Sequence, residues 1–122
     1  MIESGVGELR EPPVRAIERV AEAVVVHLRG ELDLHNAQEV RDALNALGES
    51  APERVVVDLG EVEFIDSTVL GVLVEARKSL QGTTALLLAA PGPETRRALE
   101  VSGLATYFGV HDTVEAARAA QT

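Results

Sequence analysis

Apolar residues along this chain fall into two kinds of segment. Short runs rich in valine and leucine are typical of strands buried in a sheet, whereas longer stretches with apolar residues three and four positions apart are typical of amphipathic helices. The pattern predicts strands at residues 14–20, 24–30, 54–59, 84–90 and 107–110. Residues 21–23 are predicted to form the hairpin turn between the first two strands.

Four helices are predicted between and after these strands. The predicted helices lie at residues 37–48, at 67–80, from Pro93 to Gly103, and after Asp112. Asn36 with Glu39 forms a capping box at the start of the first helix, and Asp112 with Glu115 forms another at the start of the last. On that last helix, Gln121 is expected to lie on the inward face.

The resulting order of elements is β-β-α-β-α-β-α-β-α. Buried strands that alternate with amphipathic helices indicate an α/β fold, in which a mostly parallel central β-sheet is flanked by about four α-helices. The chain has 122 residues, enough for one packed domain, which we place at residues 14–122. Residues 1–13 are acidic and end in two prolines, a composition that predicts a flexible leader.

Charge and composition narrow the possible functions. Asp and Glu number 20 against 11 Lys and Arg, and the formal net charge of −9 argues against binding to nucleic acid or to an anionic membrane. The absence of cysteine excludes disulfides, thiolate catalysis and zinc–sulfur sites. The sequence has no apolar run long enough for a membrane span and no signal-peptide pattern, so we expect a cytoplasmic protein.

Signatures of common enzymes are missing from the sequence. There is no phosphate-binding P-loop, no dinucleotide-binding glycine motif and no nucleophile elbow. His27, His35 and His111 lack the spacing of metal ligands, which favours structural roles for them. The only lysine, Lys78, lies in the middle of a predicted helix, where it does not suit a phosphoaspartate receiver. We therefore predict no catalytic residue, no metal and no cofactor.

Acidic residues are concentrated between positions 31 and 66. That stretch holds ten Asp and Glu and only two Arg, so it accounts for −8 of the net charge. Because the loops that follow parallel strands lie at one edge of the sheet, Asp33 and the acids from Asp58 to Asp66 are expected to share that edge. Such an edge is either a solvated acidic rim or a binding surface for a basic partner.

The segment Asp66-Ser67-Thr68 lies where a predicted strand gives way to a helix. Asp66 or Ser67 can cap the free N–H groups of that helix, and the helix dipole favours an anionic group beside the hydroxyls. A run of apolar residues follows and covers more than one face of the helix. Either part of this run, including Val69 and Val72, faces a partner, or the whole run is buried under neighbouring helices.

Three segments together resemble the STAS domain family, whose members include the anti-sigma factor antagonists of bacteria. The segment FIDSTVLGVL at residues 64–73 is similar to the family signature F-[IM]-D-S-[ST]-G-L-G-[VI]-L. GELD at residues 30–33 and RALEVSGL at residues 97–104 resemble two further motifs of that family, in the same order. The resemblance covers residues 14–120 and implies a STAS-type single domain with the order of elements predicted above.

The resemblance implies a phosphorylation switch. In that family, an anti-sigma factor that is also a serine/threonine kinase of the GHKL type phosphorylates the second hydroxyl residue of the D-S-[ST] motif. That residue is Thr68 here, with Ser67 as the alternative. The unphosphorylated antagonist binds the anti-sigma factor and frees the sigma factor, and a PP2C-type phosphatase resets the switch. Asp33 and Asp66 match the acids that flank the phosphorylation site, and the nucleotide belongs to the kinase.

Two points remain open at the level of the family. Val69 replaces the glycine that follows the phosphoacceptor, and a β-branched side chain there narrows the approach for a partner.

An alternative function is that of a regulatory or scaffold subunit in a complex without a sigma factor, such as a stressosome-like assembly or a lipid-transport ABC system. The hydroxyl pair of Ser67 and Thr68 favours the switch, because a scaffold needs no hydroxyl there.

Overall fold

The computed structural model describes residues 10–120 as a five-stranded sheet with helices packed on it. The strands are β1 (Val14–Val20), β2 (Ala23–Leu32), β3 (Arg54–Ile65), β4 (Ala85–Ala89) and β5 (Gly109–His111). The helices are α1 (Ala37–Gly48), α2 (Ser67–Leu80), α3 (Pro93–Val101), α4 (Leu104–Tyr107) and α5 (Val114–Arg118). The short helix α4 adds to the four predicted helices, and the predicted position of Gln121 lies outside the described residues.

The strands follow one another across the sheet in the order β1-β2-β3-β4-β5. β1 runs antiparallel to β2, and every other pair of neighbours is parallel, which confirms the predicted α/β fold with a mostly parallel sheet. A tight turn at Ala21 and Glu22 joins the antiparallel pair, with Ala21 at a φ of 55°. Parallel neighbours need a crossover connection, and helices supply it here.

β2 and β3 extend further than predicted, to Leu32 and Ile65. Polar residues interrupt the second half of both strands, and the pairing between them is irregular near Gly30, so the apolar pattern alone does not follow them to their ends. The parallel pairing nevertheless continues to Leu32 opposite Ile65. Asp33 and Asp66 therefore come directly after the last paired residues of two neighbouring strands.

Apolar side chains on the two faces of the sheet form two separate clusters. The larger cluster packs against α1, α2 and α3 and includes the fully buried Leu28, Leu44 and Leu73. The smaller cluster lies under α5 and consists of Val25, Val56, Leu87, Ala89 and Ala117. Because side chains alternate along a strand, His27 and Asp58 project from this second face, beyond the apolar cluster under α5.

Asn36 is the N-cap residue of α1, as predicted, but both predicted capping boxes are wrong. The side chain of Asn36 makes no capping hydrogen bond to α1, because it bonds to the loop that precedes the helix. At α5 the capping residue is Thr113, whose Oγ1 accepts a hydrogen bond from the backbone N–H of Ala116 at 3.0 Å. Asp112 instead accepts a hydrogen bond from Arg96 Nη2 at 3.0 Å. Asn36 is thus engaged by residues three and five positions earlier in its own loop, whereas Asp112 is engaged by an arginine sixteen residues away.

The chain around Tyr107 differs from the predicted strand at 107–110. Gly103 adopts a φ of 80°, which ends the third helix early and allows the helical turn α4 to follow. Tyr107 belongs to this turn, and the guanidinium of Arg77 lies 4.3 Å from the centroid of its ring. β5 consequently begins only at Gly109 and pairs with β4 over three positions.

Candidate phosphorylation and partner-binding site

The ends of β2 and β3 bring the two predicted acids to one edge of the sheet. Leu32 lies opposite Ile65 in the parallel register, and the N–H of Asp66 donates a hydrogen bond to the carbonyl of Leu32 at 3.0 Å. Asp33 follows Leu32 directly, so Asp33 and Asp66 leave the sheet on neighbouring strands. The carboxyl ends of the parallel strands therefore share an edge, as expected for Asp33 and Asp66. The expectation is wrong for Asp58, which lies within β3, opposite His27, because the strand continues to Ile65.

Asp66 is the N-cap of α2. Its backbone is extended, with φ −100° and ψ 176°, and its Oδ1 accepts a hydrogen bond from the N–H of Val69 at 3.0 Å. The carbonyl of Asp66 accepts the N–H of Leu70 at 3.0 Å, which closes the first turn. Ser67 and Thr68 lie in that turn, and both are exposed. The cap predicted from the sequence therefore presents both hydroxyl residues to solvent.

Asp33 is held by a network of hydrogen bonds in the loop before α1. The side chain of Asn36 accepts a hydrogen bond from the N–H of Asp33 at 2.9 Å and donates one to the carbonyl of Glu31 at 2.9 Å. The N–H of His35 donates to Asp33 Oδ1 at 3.0 Å. Arg10 Nη2 lies 3.4 Å from Asp33 Oδ2. Both carboxylate oxygens of Asp33 thus have a partner.

These contacts shift the titration of Asp33. Partial desolvation of the carboxyl raises its pKa, but the hydrogen bond from the backbone of His35 and the positive charge of Arg10 together outweigh that effect. The pKa of Asp33 is therefore lower than that of an ordinary aspartate. Asp33 carries a fixed negative charge at neutral pH, although its side chain is only 24% exposed.

The expectation that Val69 and Val72 face a partner is wrong. Their exposed fractions are 0% and 1%, and both belong to the larger apolar cluster. Leu70 and Leu73 in the same run are buried as well. The first turns of α2 pack against the sheet and α1. The apolar run is therefore explained by burial under neighbouring elements. The side chain of Val69 therefore points into the core and does not cover Thr68.

Two exposed apolar residues at this edge were not singled out as site residues in the sequence. Leu34 is 65% exposed and follows Asp33 directly, and Phe64 is 51% exposed and pairs in register with Glu31. Phe64 precedes the buried Ile65, so the alternation of side chains along β3 places it on the opposite side of the strand. The same alternation could have indicated from the sequence that Phe64 is exposed, but only if β3 were known to continue to Ile65.

A second polar cluster lies upstream of this edge, on the face of the sheet that α5 covers in part. His27 in β2 places Nδ1 2.6 Å from Asp58 Oδ2 in β3 and Nε2 3.0 Å from Glu18 Oε1 in β1. Desolvation lowers the pKa of His27, but the hydrogen bonds to Glu18 and Asp58 outweigh it, so the pKa lies above that of an ordinary histidine. His27 therefore links three strands, in agreement with the structural role predicted for it.

No group of three or more His, Cys, Asp or Glu side chains within residues 10–120 is arranged to hold a metal ion. Among the described helices, none is long and apolar enough to cross a membrane.

Comparison with known proteins gives consistent matches. A family model of the STAS domain matches residues 11–117. The anti-sigma-B factor antagonist of Listeria monocytogenes is 35% identical over 94 residues, covering 76% of this chain and 82% of the relative. The crystal structure of an anti-sigma factor antagonist from Mycobacterium paratuberculosis has a TM-score of 0.80 and 31% identity, covering 84% of this chain and 88% of that one.

The Bacillus protein SpoIIAA has a similar structure in two states. Its unphosphorylated form has a TM-score of 0.72 and 25% identity, covering 84% of this chain and 91% of that one. Its phosphorylated form has a TM-score of 0.65 and 24% identity, covering 84% of this chain and 95% of that one.

The fold and the site define an α/β module that presents two hydroxyl residues at the start of a helix, beside a pair of acids. The chain belongs to the STAS domain family, because the family model spans nearly all of the described residues.

Proposed function

We propose that this protein is an anti-sigma factor antagonist that is switched by phosphorylation at Thr68. In the unphosphorylated state it binds an anti-sigma factor and so frees a sigma factor for transcription. The relatives in Listeria monocytogenes and Mycobacterium paratuberculosis are anti-sigma factor antagonists, and SpoIIAA has been solved with and without its phosphate. The observation that carries the proposal is the exposed Thr68 in the first turn of α2, next to the capping Asp66.

The start of α2 tolerates a phosphate in the isolated protein. A phosphate adds about −1.5 to −2 charges at pH 7, and a helix N-terminus stabilises a nearby anion by roughly 0.3–1 kcal/mol. Because Thr68 is exposed and its helix is anchored by buried apolar residues, phosphorylation leaves the core untouched. The switch therefore acts through the surface and not through unfolding.

The same phosphate opposes binding of a partner at this edge. Asp33, Asp66 and the exposed Glu61 and Glu63 already make the edge acidic. A partner that covers Thr68 would have to remove water from a dianion beside these charges, and burying an uncompensated charge costs about 3–5 kcal/mol. Phosphorylation therefore weakens binding to the anti-sigma factor.

The proposed partner surface differs in part from the residues predicted from the sequence. Asp33, Asp66, Ser67 and Thr68 remain in it. Leu34 and Phe64 replace the buried Val69 and Val72 as apolar contacts, since both are exposed on the strand ends that carry the two acids. An acidic edge with two exposed apolar side chains suits a partner with a basic rim around an apolar hollow.

The proposed partners follow from the same switch. A kinase of the GHKL type, which is the anti-sigma factor itself, supplies the nucleotide and transfers its γ-phosphoryl group to the Thr68 hydroxyl. A PP2C-type phosphatase removes the phosphate. The antagonist needs no cofactor of its own, acts in the cytoplasm, and contributes no catalytic residue.

The deciding experiment is phosphorylation by candidate GHKL-type anti-sigma factors from the same genome. One phosphate per chain is expected with ATP, located at Thr68 by mass spectrometry. Thr68→Ala abolishes it, and Ser67→Ala, the matched control one residue away, retains it. Phosphate on Ser67 would reassign the acceptor. Absence of any phosphorylation, with stable binding to a partner unrelated to sigma factors, would support the scaffold alternative.

A further inference from the structure

The residues just before β1 pack against the end of β2. The N–H of Arg29 donates a hydrogen bond to the carbonyl of Pro13 at 2.9 Å, and Arg29 Nε donates to the carbonyl of Pro12 at 3.0 Å. Arg29 Nε also lies 3.6 Å from Glu11 Oε1. We call residues 10–13 the arm. The backbone of the arm is thus anchored to β2, the strand that ends just before Asp33.

The anchored arm brings Arg10 to the loop that holds Asp33. Arg10 Nη2 donates a hydrogen bond to the carbonyl of Glu31 at 2.8 Å and lies 3.4 Å from Asp33 Oδ2. The carbonyl of Glu31 also accepts the amide of Asn36, which in turn accepts the N–H of Asp33. Nη2 of Arg10 therefore contacts both the carbonyl of Glu31 and the carboxylate of Asp33, the two groups around which this loop is built.

Arg10 differs from the other groups that hold Asp33. Asn36 and His35 belong to the loop itself, whereas Arg10 comes from more than twenty residues earlier in the chain. Oδ1 of Asp33 is occupied by the backbone of His35, and Oδ2 is the oxygen that Arg10 contacts. Arg10 is therefore the group from outside the loop that restrains Oδ2 of Asp33.

We propose that Arg10 is a positioning residue for Asp33, and that the arm is part of the surface that the anti-sigma factor kinase recognises. The second half of this inference rests on the proposed function. By fixing the carboxylate and offsetting part of its charge, Arg10 presents Asp33 in one orientation to the partner. Without Arg10 the carboxylate rotates more freely, and the partner must order it on binding.

The test compares Arg10→Gln with Arg19→Gln in the full chain. Both remove one positive charge, but Arg19 lies near the other end of β1, where it contacts Ser50, and it is remote from Asp33. Two readouts are used: the pKa of Asp33 by NMR of its side-chain carboxyl carbon, and the rate of phosphorylation by a kinase that phosphorylates the wild type. Arg10→Lys, which keeps the charge, serves as the rescue variant.

We expect the pKa of Asp33 to rise in Arg10→Gln and to stay unchanged in Arg19→Gln. Phosphorylation is expected to slow about two- to fivefold in Arg10→Gln, mainly through KM, which corresponds to about 0.4–1 kcal/mol and lies within the range for exposed charge pairs. Arg10→Lys should recover most of both effects. If the arm served only the fold, Arg10→Gln would lower the melting temperature and leave the phosphorylation rate at the wild-type value.

The possible failures are distinguishable. Equal pKa values of Asp33 in the Arg10→Gln and Arg19→Gln variants would overturn the positioning role. A raised pKa with unchanged phosphorylation would overturn the claim that the kinase recognises the arm. If no kinase phosphorylates the wild-type chain, the proposed function fails, whereas the pKa measurement still decides whether Arg10 positions Asp33.

Discussion

At the end of β3 the acidic residue is held by its own neighbours in the sequence, whereas at the end of β2 it is held both by its loop neighbours and by Arg10 from a distant part of the chain. The carboxylate of Asp66 bonds to the N–H of Val69, three residues further on. Asp33 contacts its loop neighbours, His35 and Asn36, and also Arg10. The two acids lie at one edge and carry the same charge, but they depend on different parts of the fold.

This difference separates the roles of the two acids. A capping carboxylate contributes directly to helix stability, because it satisfies an N–H group that has no partner within the helix. A loop carboxylate that sits at the surface contributes little to stability and is free to serve a partner. Substitutions at the β3 end are therefore expected to affect both the fold and the switch, and substitutions at Asp33 chiefly the switch.

The largest expected effect comes from adding a negative charge at the β3 end. Thr68→Asp should fold normally and bind the anti-sigma factor two to four orders of magnitude more weakly, corresponding to about 3–5 kcal/mol for an uncompensated buried charge. Thr68→Ala should bind like the wild type. Calorimetric titration measures the affinity, and circular dichroism melts measure the fold. Thr106→Asp places the same charge on the exposed α4 and should not alter binding. Equal affinities of Thr68→Asp and Thr68→Ala would rule out the electrostatic switch.

The next largest effect is expected at His27, which joins β1, β2 and β3 upstream of both strand ends. His27→Gln should lower the free energy of unfolding by about 1–3 kcal/mol near pH 6, since the carboxylates of Asp58 and Glu18 lose a charged partner. Urea denaturation measures the loss.

The pH dependence of that loss follows from the raised pKa of His27. A pKa that is higher in the folded state means that folding takes up a proton, so the stabilisation is fully present below the ordinary histidine value of about 6.5 and is lost as the pH rises through the folded-state pKa. The difference in unfolding free energy between wild type and His27→Gln should therefore shrink between pH 6 and pH 9. A difference that grows with pH would contradict a raised pKa of His27 in the folded protein.

A smaller effect is expected from removing the cap at the β3 end. Asp66→Ala should lower the free energy of unfolding by about 1 kcal/mol, within the range of 0.5–2 kcal/mol for N-cap residues. Asp66→Asn retains an oxygen that can accept the N–H of Val69 and should cost little. Thermal melts distinguish the two variants. Equal stability of Asp66→Ala and Asp66→Asn would show that the capping hydrogen bond does not stabilise α2. The difference that we describe between Asp66 and Asp33 would then fail.

The smallest effect on stability is expected at the β2 end. Asp33→Asn keeps an oxygen for the N–H of His35, so the melting temperature should hardly change, whereas phosphorylation or kinase binding should be impaired. Asp42→Asn, an exposed acid on α1, is the matched control and should affect neither property. A large fall in melting temperature with normal phosphorylation would mean that Asp33 serves the fold and not the switch.

Local chemistry explains what could be predicted of this site. The three central strands, the start of α2 and the capping role of Asp66 depend on residues close together in the sequence. Motif resemblance in GELD and FIDSTVLGVL then pointed to the family that the comparisons confirm. In contrast, the burial of Val69 and Val72 could not be decided, because an apolar run that covers two faces of a helix suits a core helix and a docking helix equally.

The order of residues alone is enough to predict the alternation of strands and helices, the acidic character of the chain and the position of Ser67 and Thr68 after a capping acid. Each of these depends on composition or on contacts within a few residues. Contacts between distant parts of the chain, by contrast, bring Arg10 to the loop of Asp33 and leave Leu34 and Phe64 as exposed apolar residues at this edge of the sheet. The physical reason is that these features depend on where β2 and β3 end, and pairing between distant strands sets that point.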